Sequence, residues 1–317
     1  MARTVIIFGA RGFIGRRVAA ALTADGWRCI GVDRYGRTTG GVGDINGPYF
    51  SGSDWSPVAL PRFLRRCGPA AVVNAVGASW STDPAVLRRD NVLWPCRLGE
   101  ACEVSGSTES ILHIGSSHEY GATAPGVPVS ESSGLAPVTE YGRSKTAGAS
   151  YLIRAACRMN SPATVVRAFN VIGPGHGTHG IWALAVGLYR AAAEAGADRV
   201  VANVPYPETA RDLVDVRDVA RLVCLAAGRG SGASVATYNA GSGTATSIRQ
   251  LFDAFTEQTG IPYRFVRSPV DLRIGSAWQR ADVSHAESRL GWMRNFTLAD
   301  SIRACLALDE PAATALV

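Results

Sequence analysis

Short apolar runs alternate with helix-periodic segments along the first half of the chain. Five such runs, many of them rich in β-branched residues, predict buried strands at 4–8, 27–32, 70–73, 111–114 and 164–168. Between the first two, Ile14, Val18 and Leu22 recur at every fourth position, which is the spacing of one helix face, and Gly26 can end that helix. Later helices are predicted over 58–66, 83–104 and 141–157.

Prolines refine two of these helices, and the pattern as a whole predicts the fold class. Asp83 followed by Pro84 is typical of a helix start, whereas Pro61 predicts that the helix at 58–66 is short or irregular. Strands that are apolar throughout and are separated by helices indicate a parallel sheet with helices on both faces. We therefore predict an α/β fold with a doubly wound parallel sheet.

The pattern loosens after residue 170. A Gly-Pro-Gly loop comes first, and the next predicted elements are a helix at 181–195, a strand at 199–204 and a helix at 216–227. We predict a larger domain over 1–170 and a smaller, mixed α/β part over 171–317. The chain is expected to return from this second part into the first sheet at least once.

Composition excludes several classes of protein. Of the 317 residues, 47% are hydrophobic and 18% are charged, which suits a folded core and argues against disorder. The net charge is +6, but arginines often stand next to acids, as at Arg211-Asp212, so we predict no nucleic-acid groove. The longest apolar run, 181–189, is shorter than the ~20 residues of a membrane span.

Cysteine and histidine usage predicts a cytoplasmic protein without a metal site. The seven cysteines are odd in number and none stands in a Cys-x-x-Cys pair, so we predict reduced thiols. The apolar run after Arg3 is cut short by glycines, unlike a secretion signal. His176 and His179 lie close together without a third ligand nearby, so no metal is predicted.

A glycine-rich segment directly follows the first predicted strand. It has the spacing G-x-x-G-x-x-G and comprises Gly9, Ala10, Arg11, Gly12, Phe13, Ile14 and Gly15. Between a strand and a helix, such glycines allow a tight turn, close approach of the backbone to a pyrophosphate, and close packing of helix on sheet. The helix start adds free N–H groups and the positive end of the helix dipole. The segment therefore predicts a dinucleotide site.

Residues after the next strands refine the identity of the dinucleotide. Asp33 ends the second strand, where a carboxylate can bind both adenosine ribose hydroxyls and repels a 2′-phosphate. We therefore predict NAD, with NADP left open because Arg34 or Arg11 could bind a 2′-phosphate. Asp54, next to Trp55, could bind the adenine amino group or only cap a helix. Small residues at a further strand end leave room for the cofactor: Asn74, Ala75, Val76 and Gly77.

A tyrosine and a lysine lie four residues apart in a predicted helix. Tyr141 and Lys145 form a Y-x-x-x-K pair, which places phenol and ammonium on one face, one turn apart. A phenol with a pKa of about 10 is a poor base, but a close ammonium and an oxidised nicotinamide favour the phenolate. Ser116 and Ser117 follow the strand at 111–114, where a serine can bond the substrate oxygen that the tyrosine protonates or deprotonates.

Four ordered motifs carry a family resemblance. They are GARGFIG, NAVG, GSSHEYG and YGRSK, and later segments extend the set through RAFNVIGPG, RDLVDVRDV and YNAGSG. Together they resemble the extended short-chain dehydrogenase/reductase family, which includes the nucleotide-sugar epimerases and dehydratases. The resemblance covers essentially the whole chain. It implies a Rossmann-type first domain, a smaller C-terminal substrate domain, a Ser-Tyr-Lys active site and a homodimer.

The resemblance also implies roles for the residues of the catalytic motifs. Tyr141 is the expected acid/base, and Lys145 is expected to bind the nicotinamide ribose and to lower the pKa of the phenol. Counting back from the tyrosine of GSSHEYG points to Ser116 as the catalytic serine, whereas counting forward from the strand points to Ser117, which we prefer. His118 is either a substrate contact or an exposed loop residue.

Further residues are expected to contact the substrate. The resemblance places Asn170 at the diphosphate and Arg211 at the nucleotide end. Arg273 stands where the family often has a phosphate-binding arginine, but here Ile-Gly-Ser follows it in place of proline and an acid. Surface salt bridges are the alternative role of both arginines. Trp182 could shape the sugar pocket or belong to the packing.

The resemblance implies an NAD(P)-dependent enzyme that moves a hydride to or from C4 of a nucleotide-diphospho-hexose. The GSSHEYG and FNVIGPG segments look most like those of GDP-4-keto-6-deoxymannose reductases, so a 4-ketoreductase is the first expectation. A 4-epimerase is the second. A dehydratase is the third, because His118-Glu119 departs from the acids of dehydratase loops. A non-catalytic dinucleotide-binding protein is the remaining alternative.

Overall fold

A seven-stranded parallel sheet forms the centre of the molecule. The structure is a computed structural model, and it describes residues 2–33, 49–51, 55–79, 81–177, 179–228, 234–266 and 278–306. From one edge to the other, the strands are β3 (Tyr49–Ser51), β2 (Arg28–Asp33), β1 (Thr4–Phe8), β4 (Ala71–Asn74), β5 (Ile111–Ser116), β6 (Ala163–Ala168) and β10 (Val235–Ala240). All neighbours pair in parallel. The chain order reverses between β1 and β4, which opens a crevice at their carboxyl ends.

Helices cover both faces of this sheet, and the predicted fold class is confirmed. One face carries α1 (Phe13–Ala24), α7 (Val216–Ala227) and α9 (Ser284–Leu290), and the other carries α2 (Ala59–Cys67), α3 (Pro84–Arg88), α4 (Trp94–Ser105) and α5 (Glu140–Arg158). Side chains alternate along β1: Val5 and Ile7 pack toward α1 and α7, whereas Ile6 and Phe8 pack toward α2 and α4. Burial on both faces explains why the strands are apolar throughout.

The helix predicted over 83–104 contains a π-helical turn. Asp83 caps its start, and the chain then runs through α3, the π-helical turn Arg89–Leu93 and α4. Pro95 has no N–H to donate to the carbonyl of Asn91 four residues earlier, which favours the wider turn. By contrast, Pro61 lies in the first turn of α2, where a missing N–H costs no helical bond, so α2 is short but regular.

The second half of the chain adds two small sheets and the last strand of the large one. β7 (Asn170–Ile172), β9 (Ala210–Asp215) and β11 (Ala245–Ser247) form one sheet, and β8 (Val200–Asn203) pairs with β12 (Tyr263–Val266). Helices α6 (Gly180–Ala195), α8 (Ile248–Thr259) and α10 (Leu298–Leu306) surround a core that includes Tyr189, Phe252 and Phe255. In the described part of the chain, no helix is both long and apolar enough to cross a membrane. The domain boundary near residue 170 stays a prediction.

Candidate active site

The glycine-rich segment forms the tight turn between β1 and α1. Gly9 has a φ of +82°, and its N–H donates to the Val32 carbonyl (2.9 Å). A Cβ on Gly9 would lie 2.9 Å from the carbonyl carbon of Ala75, so this close approach of two strand ends requires glycine. Gly12 is the N-cap of α1 and places no side chain over the helix start, which leaves that end open to an anion. Gly15 packs against the backbone of Gly9.

The first turn of α1 faces the Gly-Pro-Gly loop that follows β7. The rings of Phe13 and His176 stand edge to face, with centroids 5.0 Å apart. Arg16 donates from Nη2 to the Pro174 carbonyl (3.2 Å). Ile14 packs against the core beneath α1, and Arg11 is half-buried in the turn. The turn predicted to hold the dinucleotide therefore lies next to a loop of the second half of the chain.

A cavity of about 150 Å³ lies beside the end of β2. Asp33, Trp55 and Val76 line it, together with residues of the π-helical turn and α4. A carboxylate at the rim of an aromatic, largely apolar cavity suits a ribose and an adenine ring. The glycine turn, the open helix end and this cavity together fit an NAD-type dinucleotide. Arg34 and Asp54 lie outside the described residues.

Asn74 lies beneath the crevice rather than in it. Its side chain is fully buried, and Oδ1 accepts a hydrogen bond from Trp94 Nε1 (3.0 Å). Its Nδ2 therefore donates to Nδ1 of His113 (3.0 Å), a buried residue of β5. The polar atoms of the Asn74 side chain therefore bind neighbouring strands and helices, and a cofactor contact at the strand end Asn74 to Gly77 stays a prediction. Gly77, three residues later, is exposed at the crevice.

Tyr141, Lys145 and Ser116 come together at the carboxyl end of β5. The tyrosine and the lysine lie one turn apart at the start of α5, and Ser116 is the last residue of β5. The Ser116 side chain lies beside the Tyr141 phenol and lowers its pKa. Lys145 Nζ donates to the Ile114 carbonyl (2.6 Å), and a Cβ on Gly77 would lie 3.6 Å from Nζ. The expected catalytic groups therefore border the dinucleotide crevice.

The structure brings Ser116, rather than Ser117, to the tyrosine. β5 ends at Ser116, two residues later than predicted. Ser117 begins a 3₁₀ turn and is buried, and its carbonyl accepts from Gln279 Nε2 (3.2 Å). Counting forward from a strand predicted to end at residue 114 therefore misplaces the serine, and the preference for Ser117 is corrected.

Burial sets the charge states of the tyrosine and the lysine. It raises the pKa of Tyr141 to about 12; the Ser116 hydrogen bond lowers this pKa in part, and the negative charge of Glu119 raises it further. Burial lowers the pKa of Lys145 to about 8, an effect that Glu119 partly opposes. Lys145 is also the only lysine in the sequence. The protein's own groups thus keep the phenol protonated at neutral pH, as a proton donor requires.

His118 contacts the ring of Tyr141 and lies within electrostatic reach of Arg211. Its ring meets the ring of Tyr141 edge to face, with centroids 5.3 Å apart, and it is half-buried rather than fully exposed. Burial lowers the pKa of His118, and the nearby charge of Arg211 lowers it further. A neutral imidazole beside the phenol is therefore the expected form at neutral pH.

Asn170 and Arg211 share one face of the three-stranded sheet. Asn170 pairs with Leu213, two residues from Arg211 on β9, and side chains two residues apart on a strand point the same way. Asn170 Nδ2 donates to the Asp212 carbonyl (3.2 Å). Arg273 lies outside the described residues. Within the described ranges, no group of three or more His, Cys, Asp or Glu side chains could hold a metal ion.

Trp182 belongs to the core of the second half and not to a sugar pocket. It is 3% exposed, and its ring packs against Phe255 with centroids 5.5 Å apart. The predicted substrate contact of Trp182 is therefore wrong, because α6 turns this side chain toward α8. Trp182 therefore has the second role that the sequence analysis left open, which is packing in the core.

Two residues beside the site were missed by the sequence predictions. Asn91 joins the crevice to α5, because Oδ1 accepts from the Ala78 N–H (2.9 Å) and Nδ2 donates to a serine hydroxyl of α5 (3.0 Å). Pro95 was the available signal, since it disturbs the helix at the residue four positions earlier. Glu119 is fully buried next to Ser116. The S-x-x-E spacing from Ser116 to Glu119 was the available signal, because it is typical of a capping box.

Comparison with known proteins finds a matching family model and similar proteins. A family model described as "NAD dependent epimerase/dehydratase family" matches residues 5–241. The chain is 33% identical over 305 residues to dTDP-6-deoxy-L-talose 4-dehydrogenase (NAD(P)(+)) of Kitasatospora kifunensis. This alignment covers 94% of this chain and 93% of that protein. The chain is also 29% identical over 307 residues to UDP-glucose 4-epimerase of Mycolicibacterium smegmatis. This alignment covers 94% of this chain and 95% of that protein.

A solved structure shares the whole architecture. MoeE5 in complex with UDP-glucuronic acid and NAD aligns with a TM-score of 0.80 at 27% sequence identity. The alignment covers 96% of this chain and 97% of that one. The family model's range, residues 5–241, spans the glycine turn, the serine–tyrosine–lysine cluster, Asn170 and Arg211.

Proposed function

The chain belongs to the NAD-dependent epimerase/dehydratase family, and we propose that it is a 4-ketoreductase of nucleotide-diphospho-6-deoxyhexoses. The observation that carries the proposal is the cluster of Ser116, Tyr141 and Lys145, in which the phenol is kept protonated beside the dinucleotide crevice. The 33% identity to a protein named as a 6-deoxy-talose 4-dehydrogenase supports conversion between a C4 carbonyl and a C4 hydroxyl.

The catalytic cluster supplies the proton and stabilises the charge. NAD(H), held by the glycine turn, Asp33 and Lys145, provides the hydride chemistry when bound. Tyr141 donates its proton to the C4 oxygen as negative charge develops there. Ser116 donates a hydrogen bond to the same oxygen. Lys145, fixed by its bond to the Ile114 carbonyl, stabilises the phenolate that remains.

The second half of the chain provides groups for an anionic substrate. Arg211 and Asn170 face the same side of the small sheet, and a guanidinium with an amide donor suits a diphosphate. His118 contacts the Tyr141 ring and lies within electrostatic reach of Arg211, which supports a substrate that extends from Arg211 to the phenol. We therefore propose that the diphosphate binds at Arg211 and Asn170, with the hexose between them and Tyr141.

Glu119 argues against the dehydratase alternative. Elimination of water from the sugar needs an acid/base group in addition to the tyrosine, and Glu119 is the carboxylate of the GSSHEYG loop. It is fully buried, and its two oxygens accept from the Ser116 N–H (2.7 Å) and from Arg167 Nε (3.0 Å). A carboxylate bound in this way cannot exchange protons with a sugar in the crevice.

A 4-epimerase is the second candidate. The 29% identity to a UDP-glucose 4-epimerase over 95% of that protein's length favours it. An epimerase must first remove the C4 hydroxyl proton, which requires the phenolate form of Tyr141. Burial raises the pKa of this phenol to about 12, so the protein alone favours the reductive direction.

A reduction assay separates these candidates. The protein is mixed with NADH and either GDP- or dTDP-4-keto-6-deoxyhexose, and the reduced-nicotinamide absorbance is followed. A reductase consumes one NADH for each sugar reduced, and Tyr141→Phe abolishes this consumption. Interconversion of UDP-glucose and UDP-galactose without net loss of NADH would instead identify an epimerase. If neither reaction occurs, and Tyr141→Phe changes nothing with any substrate, the protein only binds dinucleotides.

The nicotinamide cofactor is confirmed at the level of the family, and Asp33 favours NAD over NADP. A comparison of initial rates with NADH and NADPH tests this preference. The homodimer, the cytoplasmic location and the lack of nucleic-acid binding remain predictions.

A further inference from the structure

Three residues lie side by side across the large sheet, directly behind the catalytic serine. Gly115 of β5 pairs with Arg167 of β6, and Arg167 pairs with Asn239 of β10. Paired residues share one face of a sheet. Gly115 leaves space on this face, and the carboxylate of Glu119 fills it: a Cβ on Gly115 would lie 2.6 Å from Glu119 Oε1. A glutamate can therefore fold back over the strand that ends in Ser116.

Glu119 is held between two donors. Oε1 accepts from the Ser116 N–H (2.7 Å), and Oε2 accepts from Arg167 Nε (3.0 Å). Both members of the ion pair are buried, with exposed fractions of 0% for Glu119 and 7% for Arg167. Arg167 Nη1 donates to the Tyr120 hydroxyl (3.1 Å), which donates to Asn239 Oδ1 (2.7 Å). A continuous chain of hydrogen bonds thus runs from β10 to the backbone of the serine.

The contact with the serine backbone links this chain of bonds to catalysis. Ser116 caps the 3₁₀ turn: its Oγ accepts from the His118 N–H (3.2 Å), and Glu119 completes a capping box by binding the Ser116 N–H. The box fixes both the backbone and the side chain of Ser116, which ends β5 beside the Tyr141 phenol. Because a displacement of ~1 Å can cost about 10²-fold in rate, the geometry of the box bears on turnover.

We propose that Glu119 is a positioning residue of the reaction: its carboxylate holds Ser116 in place for the C4 oxygen, and Arg167 compensates the buried charge of that carboxylate. The proposal rests on the proposed function, in which Ser116 contacts this oxygen. Neither Glu119 nor Arg167 contacts the substrate. Buried ion pairs often add little net stability, and neutral residues of similar size often replace them without loss, so stability alone does not explain this pair.

Two double variants of matched shape test the proposal. Both carry Arg167→Met, so that neither leaves a buried arginine unpaired. One adds Glu119→Gln, which keeps an oxygen for the Ser116 N–H, and the other adds Glu119→Met, which does not. With NADH and a 4-keto-6-deoxyhexose nucleotide, we expect the glutamine variant to keep kcat within about threefold of wild type. The methionine variant should lose kcat by roughly 10- to 100-fold with little change in KM. Melting temperature and NAD affinity establish that both variants are folded.

The same two variants in a Ser116→Ala background complete the test. A residue that acts through the serine has nothing left to position there, so the two variants should differ by less than about twofold. The proposal is overturned if the glutamine and methionine variants lose the same amount of kcat while Ser116 is intact. It is also overturned if the difference in kcat between them is just as large in the Ser116→Ala background. If the methionine variant does not fold, the glutamine variant decides: a loss above about tenfold at an unchanged melting temperature contradicts the proposal. If Ser116→Ala itself has no effect, the proposed function fails, and the role of Glu119 fails with it.

Discussion

Lys145 is a buried cation, and we predict that its replacement stabilises the protein while abolishing turnover. The residue is 4% exposed, and its Nζ donates to the Ile114 carbonyl (2.6 Å). Lys145→Met removes the charge and keeps an unbranched apolar chain of similar length. Burial lowers the pKa of Lys145 from 10.5 to about 8, which corresponds to about 3 kcal/mol against the charged form in the folded protein. The variant also loses the hydrogen bond to the Ile114 carbonyl, which lowers its stability by about 1 kcal/mol and so reduces the stabilisation gained by removing the buried charge.

The size of the effect depends on pH. The unfolded chain holds the lysine proton more tightly than the folded protein does, so the free energy of unfolding of the wild type rises with pH between about 8 and 10.5. Below pH 8 the wild type carries the full cost of the buried charge. Lys145→Met should therefore be more stable than wild type by about 2 kcal/mol at pH 7, and this difference should be close to zero at about pH 10.

Urea unfolding of both proteins at several pH values between 7 and 10 measures this difference. Arg143→Met is the matched control, because Arg143 lies in the same helix, is exposed, and makes surface contacts with the exposed Glu140 carboxylate (2.6 Å) and the Pro137 carbonyl (3.5 Å). Its effect should be within about 1 kcal/mol and should not vary over this pH range. A Lys145→Met variant that is less stable than wild type at pH 7, or a difference that does not change with pH, would refute the reasoning.

The sequence offers a direct check of the pKa. Because Lys145 is the only lysine, isotope-labelled lysine gives one side-chain resonance in an NMR titration. We expect a midpoint near 8 for the dinucleotide-free protein. A midpoint near the ordinary value of about 10.4 would contradict the burial argument.

Three further predictions follow from the site and its surroundings. Ser116→Ala should lower kcat by about 10²-fold, whereas Ser117→Ala should change it by less than about threefold, as measured by initial rates of NADH oxidation. Gly9→Ala should abolish NAD binding in a fluorescence titration, because its Cβ would meet Ala75 at 2.9 Å and its φ is +82°. Trp182→Ala should lower the free energy of unfolding in urea by about 3–5 kcal/mol, because the residue lies in the C-terminal core. The NAD affinity should stay unchanged, and weaker NAD binding in the folded variant would contradict this prediction.

The sequence predicted those parts of the site whose residues are close together along the chain. The glycine turn and the Tyr141–Lys145 pair depend on spacings of three or four residues, and a strand or a helix converts such spacings directly into geometry. The parallel sheet was predictable for the same reason, because each strand and helix has its own local pattern. The register of the strands is not local, and the sequence did not reveal it.

Three features of the site depend on contacts between distant segments. Ser116 could be told from Ser117 only after the true end of β5 was known. Glu119 and Arg167 are 48 residues apart, and strand pairing between β5 and β6 brings them together. Trp182 is aromatic, and its position near a glycine-rich loop suited a pocket as well as a core; the packing of α6 on α8 decides the matter.

The central claim is that C4 of a nucleotide sugar exchanges a hydride with the nicotinamide while Tyr141 moves the proton. The most direct measurement uses NADH with deuterium at the transferable position and a 4-keto-6-deoxyhexose nucleotide, followed by NMR of the sugar product. The account predicts one deuterium at C4, formed by the wild type and lowered roughly 10²- to 10⁴-fold in rate by Tyr141→Phe. Deuterium at another carbon, or labelling at C4 that proceeds equally fast without the phenol, would contradict it.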